Sequence, residues 1–155
     1  MIELARQYNR YGDKCTYCVN ETDTLGFFRD DSFDFIYSSI VLQHIKPEYS
    51  KNYIREFLRV LAPGGIMVFQ VPDSVATTTS GINLRIFVAY FRNTVKTIAR
   101  RMSIGDMFWK MEMYAIPKKE IVHLVSAHPG RVVDIQEDRV AGKDWVSYRY
   151  YCVKE

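Results

Sequence analysis

Two strand-like runs with a helical pattern between them dominate the centre of the chain. Residues 33–39 and 66–71 are rich in aromatic and β-branched side chains, as in strands that are covered on both faces. Residues 47–61 place apolar side chains at helical spacing, and Gly64-Gly65 then allows a sharp turn. Strand, helix, turn and strand in this order predict a right-handed βαβ unit of a parallel sheet.

Further elements are predicted on both sides of this unit. They are a helix at 1–11, a short strand at 14–20, helices at 82–102 and 117–127, and strands at 131–138 and 145–153. A short turn containing Gly142 joins the last two strands, so these two should pair antiparallel. We therefore expect an α/β fold with a mainly parallel sheet, an antiparallel C-terminal strand and helices on both faces.

The candidate ligand site is the carboxyl end of the predicted parallel strands, where open α/β sheets bind their ligands. Ser38 and Ser39 directly follow the first strand, and Val71-Pro72-Asp73 ends the second. Both stretches place small or polar groups directly after apolar residues. The alternative interpretation of the two serines is that they only end the strand.

Length and charge limit the classes of function. A chain of 155 residues, 48% hydrophobic and 25% charged, suits one soluble domain with a core. The net charge of +3 is too small to indicate a nucleic-acid partner. No apolar run approaches the roughly 20 residues that span a bilayer, and no signal-peptide pattern opens the chain, so a cytoplasmic location is expected. Arg55, Glu56 and Arg59 are expected to form the solvated face of the central helix.

The three cysteines, Cys15, Cys18 and Cys152, are an odd number, which argues against a disulfide framework. Cys15 and Cys18 have the spacing of a metal or redox pair. On a strand, however, residues three apart point to opposite faces, and this geometry opposes chelation. We expect ordinary thiols and no metal site.

The segment from 82 to 114 is expected to be a helical insertion. Its first part, 82–102, is predicted to be an amphipathic helix, and the charged groups of this stretch are all basic. Such a helix packs on a sheet or lies on an anionic membrane surface, and packing is the favoured alternative. The residues that follow are rich in methionine and aromatic side chains, among them Trp109, and either line a substrate pocket or fill the core.

Three stretches of the chain point to one family. Residues 30–38 read Asp-Asp-Ser-Phe-Asp-Phe-Ile-Tyr-Ser, residues 43–45 read Gln-His-Ile, and residues 58–65 read Leu-Arg-Val-Leu-Ala-Pro-Gly-Gly. Together they resemble the class I S-adenosylmethionine-dependent methyltransferases, in particular the type 11 group, in which they start the fourth strand, follow it, and end the next helix. The third stretch is the most specific. Residues 145–150 also resemble the end of some members.

The resemblance implies S-adenosylmethionine as the cofactor and places residues of this chain around it. In the family, polar residues after the third strand hold the adenine, and residues after the fourth approach the methionine part and the methyl group. The positions implied are Asn20, Glu21 and Asp23 at the adenine, Ser38, Ser39 and Val41 at the methionine part, and Gln43 and His44 towards the substrate. His44 is the candidate base, since histidine readily exchanges a proton near neutral pH, although many members need only in-line positioning.

The chain also departs from the family. Members begin with a strand, a Gly-rich turn, a helix and a second strand that ends in an acidic residue, and residues 1–155 contain none of these. We therefore expect a single, N-terminally incomplete methyltransferase domain with weak or absent cofactor binding. Its strand at 33–39 should lack a neighbour, so either the strand at 14–20 pairs with it or a second copy of the chain does.

Two functions follow as alternatives. In the first, the chain transfers a methyl group from S-adenosylmethionine to a small-molecule acceptor, with an activity impaired by the missing Gly-rich turn. In the second, it is a catalytically silent methyltransferase-like module for binding or self-association. The residues leave open whether the acceptor atom is oxygen, nitrogen or carbon.

Overall fold

The computed structural model describes residues 2–76 and 112–155. Within these ranges it contains helices and strands that alternate much as the sequence predicts. They are α1 (Ile2–Gln7), β1 (Phe33–Ser38), α2 (Pro47–Val60), β2 (Leu61–Val75), α3 (Lys118–Ser126), β3 (Gly130–Glu137) and β4 (Trp145–Lys154). Short 3₁₀ turns occupy Gly12–Lys14 and Leu42–His44. The predicted helix at 82–102 and the residue Trp109 lie outside the described residues.

The described strands form one mixed sheet in the order β1-β2-β4-β3. β1 and β2 are parallel, with Phe35 opposite Ile66 and Ser38 opposite Phe69, so the predicted βαβ unit is confirmed. The strand β4 lies between β2 and β3 and pairs antiparallel with both. The α/β sheet with an antiparallel C-terminal strand is therefore confirmed, and among the described strands antiparallel pairing is the more frequent.

The strand β2 begins earlier than predicted, directly at the end of α2. It starts at Leu61, and its register with β1 then shifts, which leaves residues 62–65 as an irregular bulge. Gly64 has a φ of +78°, a conformation that glycine adopts without strain. A Cβ at Gly65 would lie 2.8 Å from the carbonyl oxygen of Ala62. The glycine pair therefore bends the chain inside the strand rather than before it.

The hydrophobic core lies between one face of the sheet and the helices α2 and α3. Its buried members include Met67, Phe69, Val71, Tyr150 and Cys152 from the sheet, and Ile54, Leu58, Ile121 and Val125 from the helices. The rings of Phe69 and Tyr150 stack with their centroids 5.1 Å apart, a favourable aromatic distance. Residues from both described ranges thus share one core.

The opposite face of β1 is not covered by any of the described helices. Phe35 and Tyr37 are 58% and 56% exposed, and Ile66 beside Phe35 is exposed as well. Successive side chains of a strand point to opposite faces, so Ile36 packs against the core while its two neighbours do not. Among the described residues, α2 and α3 pack together against a single face of the sheet, so these two helices do not supply the cover predicted for the second face of β1.

Residues 15–20 have no regular secondary structure, so the predicted strand at 14–20 is wrong. Their end is held against α2 instead, where the side chain of Asn20 donates to the Tyr53 hydroxyl at 3.0 Å. The predicted pairing of this segment with β1 is therefore also wrong. Among the described strands, β1 has β2 on one side and no neighbour on the other.

The helix α1 ends sooner than its apolar pattern predicts. The side chain of Asn9 accepts from the backbone N–H of Tyr11 at 2.9 Å and donates to the carbonyl oxygen of Gly12 at 2.8 Å. Bonds of this local kind compete with the backbone bonds of a helix. They explain why the helix stops at Gln7 rather than at Tyr11.

Arg59, near the end of α2, ties the loop before β1 to this helix. Its guanidinium group donates to the carbonyl oxygens of Leu25 and Phe28 and to the carboxylates of Glu56 and Asp30, at 2.6 to 3.1 Å. Its hydrogen bond lowers the pKa of the Glu56 carboxyl group. The expectation of a solvated helix face is therefore wrong for Glu56 and Arg59, because the loop covers them.

The described part of the chain also bears on the membrane and metal predictions. None of its helices is both long and apolar enough to cross a membrane. It contains no group of histidine, cysteine and carboxylate side chains that could hold a metal ion. The three cysteines are free thiols, of which Cys15 is half-buried, Cys18 exposed and Cys152 buried.

Candidate functional site

The ends of β1 and β2 lie side by side at one edge of the sheet, because the two strands are parallel. Ser38 ends β1 and is buried, and Ser39 follows it half-buried. Ile40 and Val41 come next, and their side chains are exposed. We call residues 38–41 the rim loop, since they lie where ligands of α/β sheets bind.

The backbone of the rim loop is strained at Ile40. Its φ is +61°, in a left-handed region that β-branched residues rarely adopt. Strain of this kind persists only where the surroundings hold it, and it clusters at functional sites. Here the backbone N–H of Ile40 donates to Oε1 of Gln70 at 3.1 Å, so a buried side chain of β2 holds the loop.

Hydrogen bonds continue from Gln70 through Gln43 to His44, and we call these three residues the Gln70–His44 network. Nε2 of Gln70 donates to Oε1 of Gln43 at 3.1 Å and to the Ser147 hydroxyl at 2.6 Å. Nε2 of Gln43 lies 3.0 Å from Nε2 of His44, and Nδ1 of His44 lies 3.0 Å from the carbonyl oxygen of Glu112. Gln43 is only 3% exposed, so its amide serves the interior of the site.

Residues 112–116 cross the ends of both parallel strands. The backbone N–H of Tyr114 donates to the carbonyl oxygen of Gln43 at 2.8 Å, and that of Ile116 donates to the carbonyl oxygen of Pro72 at 2.8 Å. These two bonds fix the segment against the turn after β1 and against the end of β2. It therefore forms one wall of the candidate site.

One residue of this site is not among the sequence predictions. It is Gln70, and a glutamine inside an otherwise apolar strand is the signal that could have found it. Tyr114 closes the aromatic-rich segment that is predicted either to line a substrate pocket or to fill the core, and its hydroxyl donates to the Glu112 carboxylate at 2.8 Å. That bond raises the pKa of Tyr114. The sequence does not predict its contacts in the wall of the site, because they depend on how the chain returns to the sheet.

Asp73, at the predicted rim, caps a helix. One of its carboxylate oxygens accepts from the backbone N–H of Lys118 at 2.6 Å, and the other accepts from the Ser74 hydroxyl at 3.0 Å. A carboxylate at this end of α3 is favourable, because it pairs with a free N–H and with the positive end of the helix dipole. The structural role of Asp73 therefore occupies both of its oxygens.

The implied adenine-side residues lie in a separate loop beside α2. Oδ1 of Asn20 accepts from the backbone N–H of Thr22 at 3.1 Å, which closes a turn, while Glu21 and Asp23 are exposed. The structure thus gathers one group of implied residues after β1 and holds the other against α2. The first group is Ser38, Ser39, Val41, Gln43 and His44, and the second is Asn20, Glu21 and Asp23.

Comparison with known proteins now adds to this geometry. The family described as a methyltransferase domain matches residues 1–69, and none of the curated proteins matches the chain. A S-adenosylmethionine-dependent methyltransferase structure from Methanosarcina mazei superposes with a TM-score of 0.58 at 20% identity, over 99% of this chain and 76% of the other. The magnesium protoporphyrin IX methyltransferase of Synechocystis PCC 6803, with bound SAH, gives 0.59 at 12% identity, over 99% and 57%.

A third structure, of a protein from Pyrococcus horikoshii OT3, gives a TM-score of 0.61 at 15% identity, over 99% of this chain and 66% of the other. The chain has the class I methyltransferase fold. Residues 1–69 include all three stretches that carry the resemblance, so the predicted similarity to the methyltransferases is confirmed. The chain spans between 57% and 76% of the length of these three methyltransferase-fold structures.

Proposed function

We propose that the chain takes part in S-adenosylmethionine-dependent methyl transfer to a small-molecule acceptor. The rim loop carries this proposal. It is strained and exposed at the carboxyl end of a parallel strand, and it lies within the residues that match the methyltransferase domain. The structural relatives include a methyltransferase with bound SAH, which supports the same cofactor here. A small acceptor is favoured over a nucleic acid because the net charge is only +3.

The residues around the rim loop suit such a cofactor. Ile40 and Val41 offer exposed apolar side chains to a purine ring or a thioether chain, and Ser38 and Ser39 would lie towards the methionine part. Across α2, the exposed carboxylates of the 20–23 loop could accept hydrogen bonds from amino or hydroxyl groups. This combination of apolar and acceptor groups fits an adenosyl ligand, with Trp109 as a further proposed substrate contact.

The rim loop and the 20–23 loop would hold this cofactor, which would supply an electrophilic methyl group on a sulfonium centre. The contribution of the protein is then mainly to align the acceptor with the bond between this methyl group and sulfur. The rim loop and the 112–116 segment are fixed to neighbouring strand ends, so they can hold two ligands in one orientation.

His44 remains the proposed base, with a condition set by its hydrogen bonds. Its Nε2 faces the amide of Gln43, and its Nδ1 faces the carbonyl oxygen of Glu112. His44 can therefore take a proton from an acceptor only after Gln43 has moved away. We propose that the main role of Gln43 and His44 is to shape the substrate side of the site.

Calorimetric titration with S-adenosylmethionine tests the proposal. We expect binding by the native chain, and weaker binding by roughly tenfold in Val41→Asp, because the new carboxylate would be partly desolvated against the ligand. Val133→Asp is the matched control, since this valine of β3 is 56% exposed and Val41 is 51% exposed. The absence of any heat from the native chain at millimolar cofactor would contradict the proposed function.

A second candidate function is a catalytically silent module that associates with itself. The edge of β1 that no described strand pairs with favours it, because unpaired strand edges with exposed apolar side chains pair with other chains. Light scattering with and without S-adenosylmethionine separates the two candidates. A dimer whose mass is the same with and without S-adenosylmethionine, and which does not bind it, supports the second candidate. A monomer that binds the cofactor supports the first. In both, residues 1–155 are proposed to act as one domain that includes the segment at 82–114.

A further inference from the structure

Gln70 is a polar side chain in the interior of the sheet whose oxygen and both amide hydrogens have hydrogen-bond partners. It is 1% exposed, and an amide that is buried without hydrogen-bond partners is strongly destabilising. Its carbonyl oxygen accepts from Ile40, and its amide nitrogen donates to Gln43 and to Ser147. One acceptor and two donors are thus all in use, which is the full capacity of this amide apart from a second oxygen lone pair.

The ends of the Gln70–His44 network fix its direction. At one end the backbone N–H of Ile40 can only donate, and at the other the carbonyl oxygen of Glu112 can only accept. Between them, every bond must therefore point the same way. Gln70 donates to Gln43, Gln43 donates to Nε2 of His44, and Nδ1 of His44 donates to Glu112.

Rotating either amide by half a turn would break this agreement. A flipped Gln70 would face its NH₂ group towards the N–H of Ile40 and its oxygen towards the oxygen of Gln43. A flipped Gln43 would repeat the conflict with Gln70. Since like groups would then meet inside the protein, only one orientation satisfies all the members.

We propose that Gln70 is a positioning residue that sets two features of the site at once. It holds the strained backbone of Ile40, and through Gln43 it presents a donor to Nε2 of His44, which supports the proton that the Glu112 carbonyl oxygen holds on Nδ1. The tautomer of a histidine is set by the hydrogen bond at its other nitrogen, and here Nε2 is the acceptor. As a positioning role in the cofactor site, this inference rests on the proposed function, but the tautomer does not depend on cofactor binding.

Nitrogen-15 NMR of the histidine side chains tests the tautomer on the native chain. We expect His44 to carry its proton on Nδ1, the tautomer that free histidine in water populates less. His123 lies on the exposed side of α3 and serves as the internal reference. A proton on Nε2 of His44 in the native protein would overturn the proposal, and this result needs no substitution that could disturb folding.

Two substitutions at Gln70 separate its two contacts. Gln70→Glu keeps an acceptor for Ile40 and, when its carboxyl group is ionised, offers only oxygen to Gln43. Gln43 should then turn its oxygen towards Nε2 of His44, which should carry a proton in addition to the one that the Glu112 carbonyl oxygen holds on Nδ1. Gln70→Leu removes both contacts, so it should free the Gln43 amide to turn and weaken S-adenosylmethionine binding by roughly tenfold. Gln7→Glu makes the same chemical change as the first substitution, on the exposed helix α1, and should alter neither readout.

The outcomes distinguish this inference from the proposed function. If the native chain binds no cofactor but His44 carries its proton on Nδ1, the proposed function fails and the tautomer assignment stands. If the cofactor binds but Gln70→Leu changes neither the affinity nor the tautomer, the positioning role of Gln70 is wrong. A proton on Nε2 of His44 in Gln70→Glu, absent from the native chain and from Gln7→Glu, supports the two-contact account directly.

Discussion

At the scale of single residues, two successive side chains on the core face of β4 are buried, Tyr150 with its hydroxyl and Cys152 with its thiol. The Tyr150 hydroxyl is buried and has no hydrogen-bond partner among the described residues. Burial raises the pKa of this hydroxyl, and it raises the pKa of the Cys152 thiol to about 12. The apolar body of Tyr150 nevertheless stacks on Phe69, so the ring is favourable where its hydroxyl is not.

Removing that hydroxyl should therefore stabilise the protein. We expect Tyr150→Phe to raise the free energy of unfolding by about 1 kcal/mol, since it deletes an unpaired buried group and keeps the ring. Urea denaturation measures the change. Tyr151→Phe is the control on the same strand, because its hydroxyl reaches Gln136 and solvent and should give no gain. A loss of stability in Tyr150→Phe would show that its hydroxyl is bonded after all.

The thiols should differ in reactivity according to burial. At pH 8, a thiol reagent should label Cys18 quickly and Cys15 more slowly, while Cys152 should react only after unfolding. Rapid labelling of all three thiols in the folded protein would be the contrary result.

The raised pKa of Cys152 also predicts how stability depends on pH. Because the thiol ionises at a lower pH in the unfolded chain than in the folded protein, the free energy of unfolding should fall as the pH rises from about 9 towards 12. Cys152→Val should flatten that part of the pH profile.

At the scale of elements, the sequence predicted what local periodicity controls and missed what distant contacts control. The helix at 47–61 and the strands around it follow from spacing, so α2 begins at Pro47 as expected. The segment 14–20 has a strand-like composition, yet its last residue, Asn20, bonds to Tyr53 of α2, which is distant in the sequence. This bond holds the segment against the helix instead of in the sheet. Gln70 was missed for the same reason, because its partners are brought together only by the folded sheet.

The contacts of Arg59 make a prediction at this scale. Arg59→Met should lower the free energy of unfolding by about 1 to 2 kcal/mol, because the carbonyl groups of the 25–30 loop lose their donors on a partly exposed side chain. Arg55→Met, on the exposed side of α2, is the control and should have little effect. Urea denaturation compares the two variants. Equal effects would mean that the loop does not depend on Arg59.

The same variant carries a pH test. The lowered pKa of Glu56 means that its stabilisation is present above pH 4.5 and is lost as the pH falls through the folded-state value. Since the hydrogen bond from Arg59 is the main cause of that shift, Arg59→Met should show a smaller loss of stability in acid. An unchanged acid profile would assign the loss to other carboxyl groups.

At the scale of the whole molecule, the sheet has two different outer strands. On β3, Val133 is the one large apolar side chain that is largely exposed. On β1, Phe35 and Tyr37 are exposed, and this strand has no second neighbour among the strands of residues 2–76 and 112–155. The residues around Ile36 read Asp, Phe, Ile, Tyr and Ser, which is nearly symmetric in chemical character. An antiparallel pair of two β1 strands centred on Ile36 would therefore place aromatic against aromatic and carboxylate against hydroxyl.

That register gives the self-association prediction a sharp form. Phe35 of one copy would face Tyr37 of the other, so a variant with both residues changed to Lys should repel itself and be monomeric, as should the variant with both changed to Glu. A mixture of the two should dimerise, because each lysine then faces a glutamate. Light scattering measures the mass of each sample.

The matched control is a mixture of Val133→Lys and Val133→Glu, both on β3. It should have the same mass as the native chain. If the native chain is a monomer at all accessible concentrations, or if the mixture stays monomeric while the native chain dimerises, β1 does not pair with itself in this register.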